Sequence, residues 1–453
     1  MELISEIILV IAIITNIILA IFIHKNAYKI AKILNLFLIV ITLSTTIYIQ
    51  ADVFKLMTLI SASLVMLTSN QIIVEKRNRS FEFFAIFLAG ILGAFCLINS
   101  KDFISAFVSI ELLGICCYFL TAFRKNHKSK ESALKYLITG ASASTLFLLG
   151  TSYLYGITGQ INFGAIQEIL TNSGINLFFV CSFLLILAGT LFKLGCLPFI
   201  NWVADVFEGA NYSTCLYFSL IPKIAAIAFL STILTNILSF CPVVLIITAS
   251  ISLLTIIYAS IAAINQTNIK RLYAYSSIIH AGFILLGLSV MSQYALSTVI
   301  FYIFTYIFMN TGIWYASLIY NNELQSDNIE DYKGLFKKHP YFSIALIVCL
   351  LSLAGLPPTS GFLAKVYLFS GISRANIIWV VILLLGMIAS VISMFAYLKI
   401  IKQLFLNTKT EISINKQQLA SKIILYLCAI ITILLCLFPD SIIKISQISA
   451  FIR

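Results

Sequence analysis

Apolar residues in this chain come in runs of about twenty separated by short polar breaks, the length a helix needs to cross a hydrocarbon layer about 30 Å thick. There are fourteen such runs. They extend from Leu3 to Ile23, Ile30 to Ile49, Leu56 to Val74, Phe81 to Ile98, Phe103 to Phe123, Leu134 to Tyr155 and Asn176 to Leu194, the last with a short continuation beyond Pro198. The second seven are Cys215 to Ile233, Pro242 to Ile264, Leu272 to Met291, Tyr294 to Ile319, Tyr341 to Ile372, Ile377 to Leu398 and Ile423 to Phe438. The gaps are mostly too short for a soluble domain, so the pattern predicts an all-α, polytopic membrane protein. Only Tyr320 to Pro340 and Gln160 to Gly174 leave room for short helices outside the runs.

Two runs carry breaks. Phe192-Lys193-Leu194-Gly195-Cys196-Leu197-Pro198 places Gly and Pro inside one, and Gly355-Leu356-Pro357-Pro358-Thr359-Ser360-Gly361 does so in the other. Proline removes a backbone donor and clashes with the preceding turn, so each run should split into half-helices. Matching breaks in two halves of a chain point to inverted repeats with the ion site at the breaks. Leu197-Pro198 and Leu356-Pro357 lie 159 residues apart, close to a five-helix unit. The expected organisation is three helices over 1–80, a first repeat over 81–234 (helices 4 to 8), a second over 235–402 (helices 9 to 13), and a loop and last helix over 403–453. The broken helices are the seventh and twelfth. A packing kink is the plainer alternative, but each break has a membrane-embedded lysine within eight residues.

Composition agrees with the pattern. Of 453 residues, 61% are hydrophobic and 10% charged, with a mean hydropathy of +1.04, which excludes a soluble enzyme, a disordered chain and a secreted disulfide scaffold. The net charge of +12 fits membrane topology better than nucleic-acid binding. Taken on alternate sides, the loops put twenty Lys and Arg residues on one side and only Lys55, Lys101, Arg374, Lys444 and Arg453 on the other. Cytoplasmic loops carry the basic excess, so both termini are expected outside and the loop after the first run inside. Met1-Glu2 lacks a basic leader and a small-residue cleavage site, so the first run reads as a retained anchor. The ten cysteines sit in or beside apolar runs with no metal-type or redox-type spacing, which reads as packing, and no nucleotide or haem signature is present.

Four basic residues remain inside apolar runs, Lys135, Lys193, Lys223 and Lys365, together with one acid, Glu111. Each charge costs about 2.5 to 3.5 kcal/mol at the centre of a membrane helix, so these should face a protein interior or a water-filled cavity. Glu111 lies about 13 Å into its run, near the midplane, and Lys223 and His280 reach a similar depth. Lys365 lies about 10 Å below the outer surface. Lys135 is two residues into its run, behind Glu131, where its ammonium can snorkel to the inner interface, and both a structural and a functional role fit it. His280 closes the polar stretch Ser276-Ser277-Ile278-Ile279-His280, and histidine titrates near physiological pH; a satisfied packing histidine is the alternative.

Five motifs carry a family resemblance. They are Phe107-Val108-Ser109-Ile110-Glu111, Glu131-Ser132-Ala133-Leu134-Lys135-Tyr136, Asp205-Val206-Phe207-Glu208-Gly209-Ala210, the run Gln266 to Ser277, and Gly355 to Lys365. Together they resemble subunit N of bacterial NADH-quinone oxidoreductase (respiratory complex I), an antiporter-like family. The resemblance implies a proton-translocating subunit with no cofactor of its own, NADH, FMN, iron-sulfur clusters and quinone being bound by other subunits. It implies as partners the antiporter-like subunit M and small membrane subunits. It implies that Glu111 and Lys193 form a charge pair, that Lys223 and His280 are the central relay, that Lys365 is the exit-side lysine and that Lys135 is a further lysine of the family type. The chain departs from the family at Pro198-Phe199-Ile200-Asn201-Trp202-Val203-Ala204-Asp205 and at Ala210-Asn211-Tyr212-Ser213, where the family has a histidine and more prolines. Two rivals stand beside this reading. One is a large subunit of a multisubunit cation/proton antiporter, which shares the Gly-Leu-Pro-Pro type of motif and the buried lysines, and the other is a non-pumping scaffold.

Overall fold

The computed structural model describes residues 3–23, 27–49, 52–69, 79–124, 126–173, 176–237, 241–373, 377–406 and 419–439. The N-terminal Met1-Glu2 and the basic residues Lys25, Lys76, Arg77, Lys125, Arg374, Lys409, Lys416, Lys444 and Arg453 lie outside the described residues. The chain divides into two compact units, Met1–Ile246 and Ile247–Arg453. The first holds α1 (Ile4–Phe22), α2 (Ala27–Ile49), α3 (Val53–Thr68), α4 (Ser80–Ile98), α5 (Phe103–Ala122), α6 (His127–Thr158), α7 (Phe163–Ser173), α8 (Leu177–Leu194), α9 (Asn201–Gly209) and α10 (Tyr212–Asn236). Then follow α11 (Pro242–Ile264), α12 (Ile269–Leu288), α13 (Gln293–Leu324), a 3₁₀ turn (Ile329–Tyr332), α14 (Leu335–Lys338), α15 (Pro340–Ala354), α16 (Ser360–Ser373), α17 (Ile377–Phe405) and α18 (Leu419–Leu437).

Among the described residues, twelve helices are long and apolar enough to span a membrane. The shorter α3 and the broken pair α15 and α16 account for the other two of the fourteen runs. The polar breaks between runs act as helix caps, supplying acceptors for the N–H groups that a helix start leaves unpaired. Asp102 accepts from Ser105 N at 2.7 Å, Asn126 from Ser129 N at 2.8 Å, Asn176 from Phe179 N at 2.8 Å and Asn268 from Lys270 N at 2.9 Å. Several helices outrun their apolar segments. α6 begins at His127, so Lys128, Glu131 and Lys135 ride on its first turns, and α17 continues past Lys399, whose ammonium caps the carbonyls of Ile264 and Gln266 at 2.9 and 2.7 Å. The Gln160–Gly174 segment forms α7, and the Tyr320–Pro340 insert forms the 3₁₀ turn and α14.

Both expected breaks are present. α8 stops at Leu194 with Gly195 at φ 73° and the chain resumes a helix at Asn201. α15 stops at Ala354 with Gly355 at φ 80° and resumes at Ser360. Each glycine takes the left-handed conformation that closes a helix end at low steric cost. At about 22 Å, α15 is too short to cross alone, so its freed carbonyls end inside the layer. Another proline, Pro222, lies inside α10 without ending it, and it withdraws one backbone hydrogen bond immediately before Lys223.

The two units share a further device. The chain before α5 pairs with the chain before α7, through Phe103 N to Ile161 O (3.2 Å) and Phe163 N to Lys101 O (3.0 Å). The same exchange joins the start of α12 to the 3₁₀ turn, through Ile269 N to Asp327 O (2.8 Å) and Ile329 N to Thr267 O (2.9 Å). The bridged residues are Asp102 with Asn162, and Asn268 with Asn328. In each unit, therefore, the helix that carries Glu111 or His280 is pinned at its first residue.

Candidate functional site

In the first unit Lys193 occupies the last turn of α8, just before the break, and is 4% exposed. Its ammonium lies against α5 at Gly114, where a Cβ would stand only 2.6 Å from Nζ, so glycine keeps this place open. Aromatic rings line the rest: Nζ is 5.7 Å from the centroid of Tyr118 and 5.4 Å from that of Phe192, within cation–π range. Tyr118 in turn packs edge-on to Tyr136 at 4.8 Å, and Tyr136 stacks on Trp202 of α9 at 4.2 Å. Four elements thus build the cage around one ammonium.

Glu111 lies on α5 one turn before Gly114, on the same face by helical spacing. Its carboxylate accepts a hydrogen bond from Ser144 of α6, and it is partly buried. Glu111 and Lys193 therefore approach the same strip of α5 without forming an ion pair. α5 meets the lysine at the small residue, and the carboxylate turns toward the serine instead.

Lys135 stands apart from the buried groups. Half exposed, it pairs with Glu131 at 2.9 Å and with Asp205 at 3.0 Å. Lys128 pairs with Glu208 at 2.6 Å, and Ser132 Oγ donates to the Asp205 carbonyl at 2.9 Å. The Asp205-to-Gly209 segment is thereby latched to the first turns of α6, and a Cβ on Gly209 would stand 2.1 Å from Ser132 Oγ. Lys223 is 5% exposed in the middle of α10, directly after Pro222.

In the second unit His280 is 1% exposed and has both ring nitrogens occupied. Nδ1 lies 2.8 Å from the Tyr302 hydroxyl and Nε2 3.2 Å from the Tyr397 hydroxyl, which is 2.7 Å from Ser276 Oγ. A neutral imidazole donates through one nitrogen and accepts through the other, so Ser276, Tyr397, His280 and Tyr302 form one directional chain that reverses when the tautomer changes. Lys365, 5% exposed, donates to the Ala354 carbonyl at 2.8 Å and to Ser390 Oγ at 3.0 Å, with the Phe283 ring 5.0 Å away. Its acceptor is the last carbonyl of α15, freed by the break. Neither Lys193 nor Lys365 has an ion-pair partner among the described residues.

Several partners of these buried groups carry no signal in the sequence. Ser144, Tyr118, Tyr302, Tyr397 and Ser390 are polar side chains in apolar runs, with no pattern that separates them from packing residues. Glu6 and Lys55 form a buried pair at 2.7 Å that Asn99 Nδ2 joins at 2.7 Å. Asn16 and Asn35 exchange amide hydrogen bonds at 2.7 and 2.9 Å between α1 and α2.

A family model described as NADH:quinone oxidoreductase/Mrp antiporter, TM, matches residues 100–393. NADH-quinone oxidoreductase subunit N 2 of Rhizobium meliloti (strain 1021) is 34% identical over 372 residues, covering 82% of this chain and 77% of the relative. NAD(P)H-quinone oxidoreductase subunit 2 of Synechococcus sp. (strain JA-3-3Ab) is 37% identical over 342 residues, covering 74% of this chain and 64% of that relative's length. A chain in the structure of respiratory complex I from Thermus thermophilus with bound aureothin has the same fold, with a TM-score of 0.82 at 24% identity over 97% of this chain and 98% of that one.

Proposed function

Because the chain belongs to the NADH:quinone oxidoreductase/Mrp antiporter family of transmembrane subunits, we propose that it is a proton-translocating membrane subunit of a bacterial NADH:quinone oxidoreductase. NADH, FMN, iron-sulfur clusters and quinone are then held by other subunits, and subunit M and small membrane subunits are its neighbours. The complex sits in the inner membrane, with both termini of this chain on the periplasmic side.

The observation that carries the reading is the state of Lys193 and Lys365, two buried ammonium groups that form no ion pair among the described residues. Burial disfavours a charged group and an approaching opposite charge favours it. A lysine whose counter-charge can approach and withdraw therefore binds and releases a proton. Glu111 supplies the movable charge for Lys193: released from Ser144 it pairs with the ammonium, and recaptured by Ser144 it leaves the lysine uncompensated. Lys223 and His280 relay the proton, His280 through its chain of hydroxyls, and Lys365 delivers it outward. The five-helix repeats at 81–234 and 235–402 each hold one broken helix and one buried lysine at the break. Lys135, held by two surface carboxylates, acts in this scheme as a latch on α9.

Lys193→Ala is the test. The complex should assemble and oxidise NADH while proton translocation is lost, and normal translocation in that variant would refute the relay. Purification of the tagged chain separates the reading from its closest rival. NADH:quinone activity should accompany it, and a preparation without that activity favours the large subunit of a cation/proton antiporter.

A further inference from the structure

A groove of about 510 Å³ runs between α15 and α18, lined by Tyr341, Ala345 and Val348 on one side and Tyr426, Ala429 and Ile433 on the other. The flanking Ile344 and Ile430 are 48% and 52% exposed, so the groove opens on the lipid-facing surface of its unit. From Tyr341 to Val348 it extends about 10 Å along the helix axis, about two thirds of one leaflet's hydrocarbon depth. α15 begins the twelfth pass and α18 makes the fourteenth, so the two helices cross in the same sense and start on the same side.

That starting side is basic. Lys337 and Lys338 form the end of α14, immediately before α15, and Lys422 lies one turn before Tyr426 on α18. From Tyr341 to Ala354 and from Ile423 to Leu437 neither helix carries a charge. The Lys338 ammonium is shielded from solvent and has no hydrogen-bond partner among the described residues, a costly condition for an isolated charge. A long apolar slot with cations at one end, one of them without a hydrogen-bond partner among the described residues, complements an amphiphile with a single anionic head. A transmembrane helix from a neighbour would use the whole length of α15 and α18, whereas this slot stops about halfway.

We propose that the groove binds one anionic phospholipid, its acyl chain between α15 and α18 and its phosphate on Lys338 and Lys422. The tyrosines at the basic end take the position that amphipathic rings favour at headgroup level. Headgroup recognition and chain burial are thereby divided between the two ends of one site.

Native mass spectrometry of the full chain, purified in detergent and titrated with phosphatidylglycerol or phosphatidylethanolamine of identical acyl chains, tests this. Phosphatidylglycerol should bind more tightly by about tenfold, and Lys338→Gln with Lys422→Gln should abolish that preference. Ala345→Phe, which fills the slot and leaves the lysines, should weaken both lipids together. Equal binding of the two lipids, or an unchanged preference in the double variant, overturns the proposal. So does a photo-crosslinker placed at Tyr341 in native membranes that labels a neighbouring protein instead of phospholipid.

Discussion

The Lys365 ammonium donates to the carbonyl of Ala354 at 2.8 Å, so the lysine is held by the carbonyl that the helix break sets free. A broken helix ends with unpaired carbonyls and the negative end of its dipole, and a cation is a favourable partner for both. The interruption read as a proline feature is also the lysine's binding site.

Gly355 keeps that site open. A Cβ there would stand 2.7 Å from Lys365 Cδ and 2.9 Å from Nζ, and the residue sits at φ 80°. Gly355→Ala should cost about 1 to 2 kcal/mol for the left-handed backbone alone and displace the ammonium from Ala354. Thermal unfolding of the purified complex and proton translocation in vesicles check it, with a lower midpoint and impaired translocation expected.

The His280 chain makes a separate prediction. Tyr302→Phe removes the hydroxyl at Nδ1 and Tyr397→Phe the one at Nε2, which also strands Ser276. Each should cost about 1 to 3 kcal/mol for the buried hydrogen bond lost at the imidazole and slow translocation. Proton uptake in reconstituted vesicles measures it, and Phe at either position with undiminished uptake removes the tyrosines from the path.

Glu6 and Lys55 should behave as a structural pair. Lys55→Met leaves a buried carboxylate hydrogen-bonded to Asn99 and Ser5 but without its ion-pair partner, at an expected cost of about 3 to 5 kcal/mol. Adding Glu6→Gln removes the stranded charge and should recover most of it. A thermal double-mutant cycle reads the coupling directly.

Lys135 is expected to differ from the buried lysines. Its pairs with Glu131 and Asp205 are half exposed, and such pairs contribute at most about 1 kcal/mol. Lys135→Met should therefore leave assembly and translocation close to normal. Loss of translocation comparable to that of Lys193→Ala would place it in the relay after all.

Much of the architecture is legible in the sequence because bilayer thickness imposes a length on every apolar run, and because Gly195-to-Pro198 and Gly355-to-Pro358 punctuate two of them. The buried charges are legible for the same reason, since Lys193, Lys223 and Lys365 stand out against apolar neighbours. Their partners are not. A tyrosine such as Tyr302 has an apolar ring and a polar tip, so in a membrane helix it reads as packing until the fold shows His280 beside it. Glu111 and Lys193 are both visible, but which of Ser144 and Lys193 the carboxylate faces depends on where α6 crosses α5. Gly114 and Gly140 govern that crossing by admitting Lys193 and the Tyr118 hydroxyl. The Glu6–Lys55 pair is not legible in the sequence either, because depth along a helix says nothing about which neighbours cover its end.

The central claim is that uncompensated buried lysines carry the protons. Its most direct test is the number of protons translocated per electron by vesicles containing the complex with Lys193→Ala, Lys365→Ala or Lys135→Met. The ratio should fall in the first two with the complex assembled, and stay near that of the unaltered complex in the third. An unchanged ratio in Lys193→Ala and Lys365→Ala would contradict it.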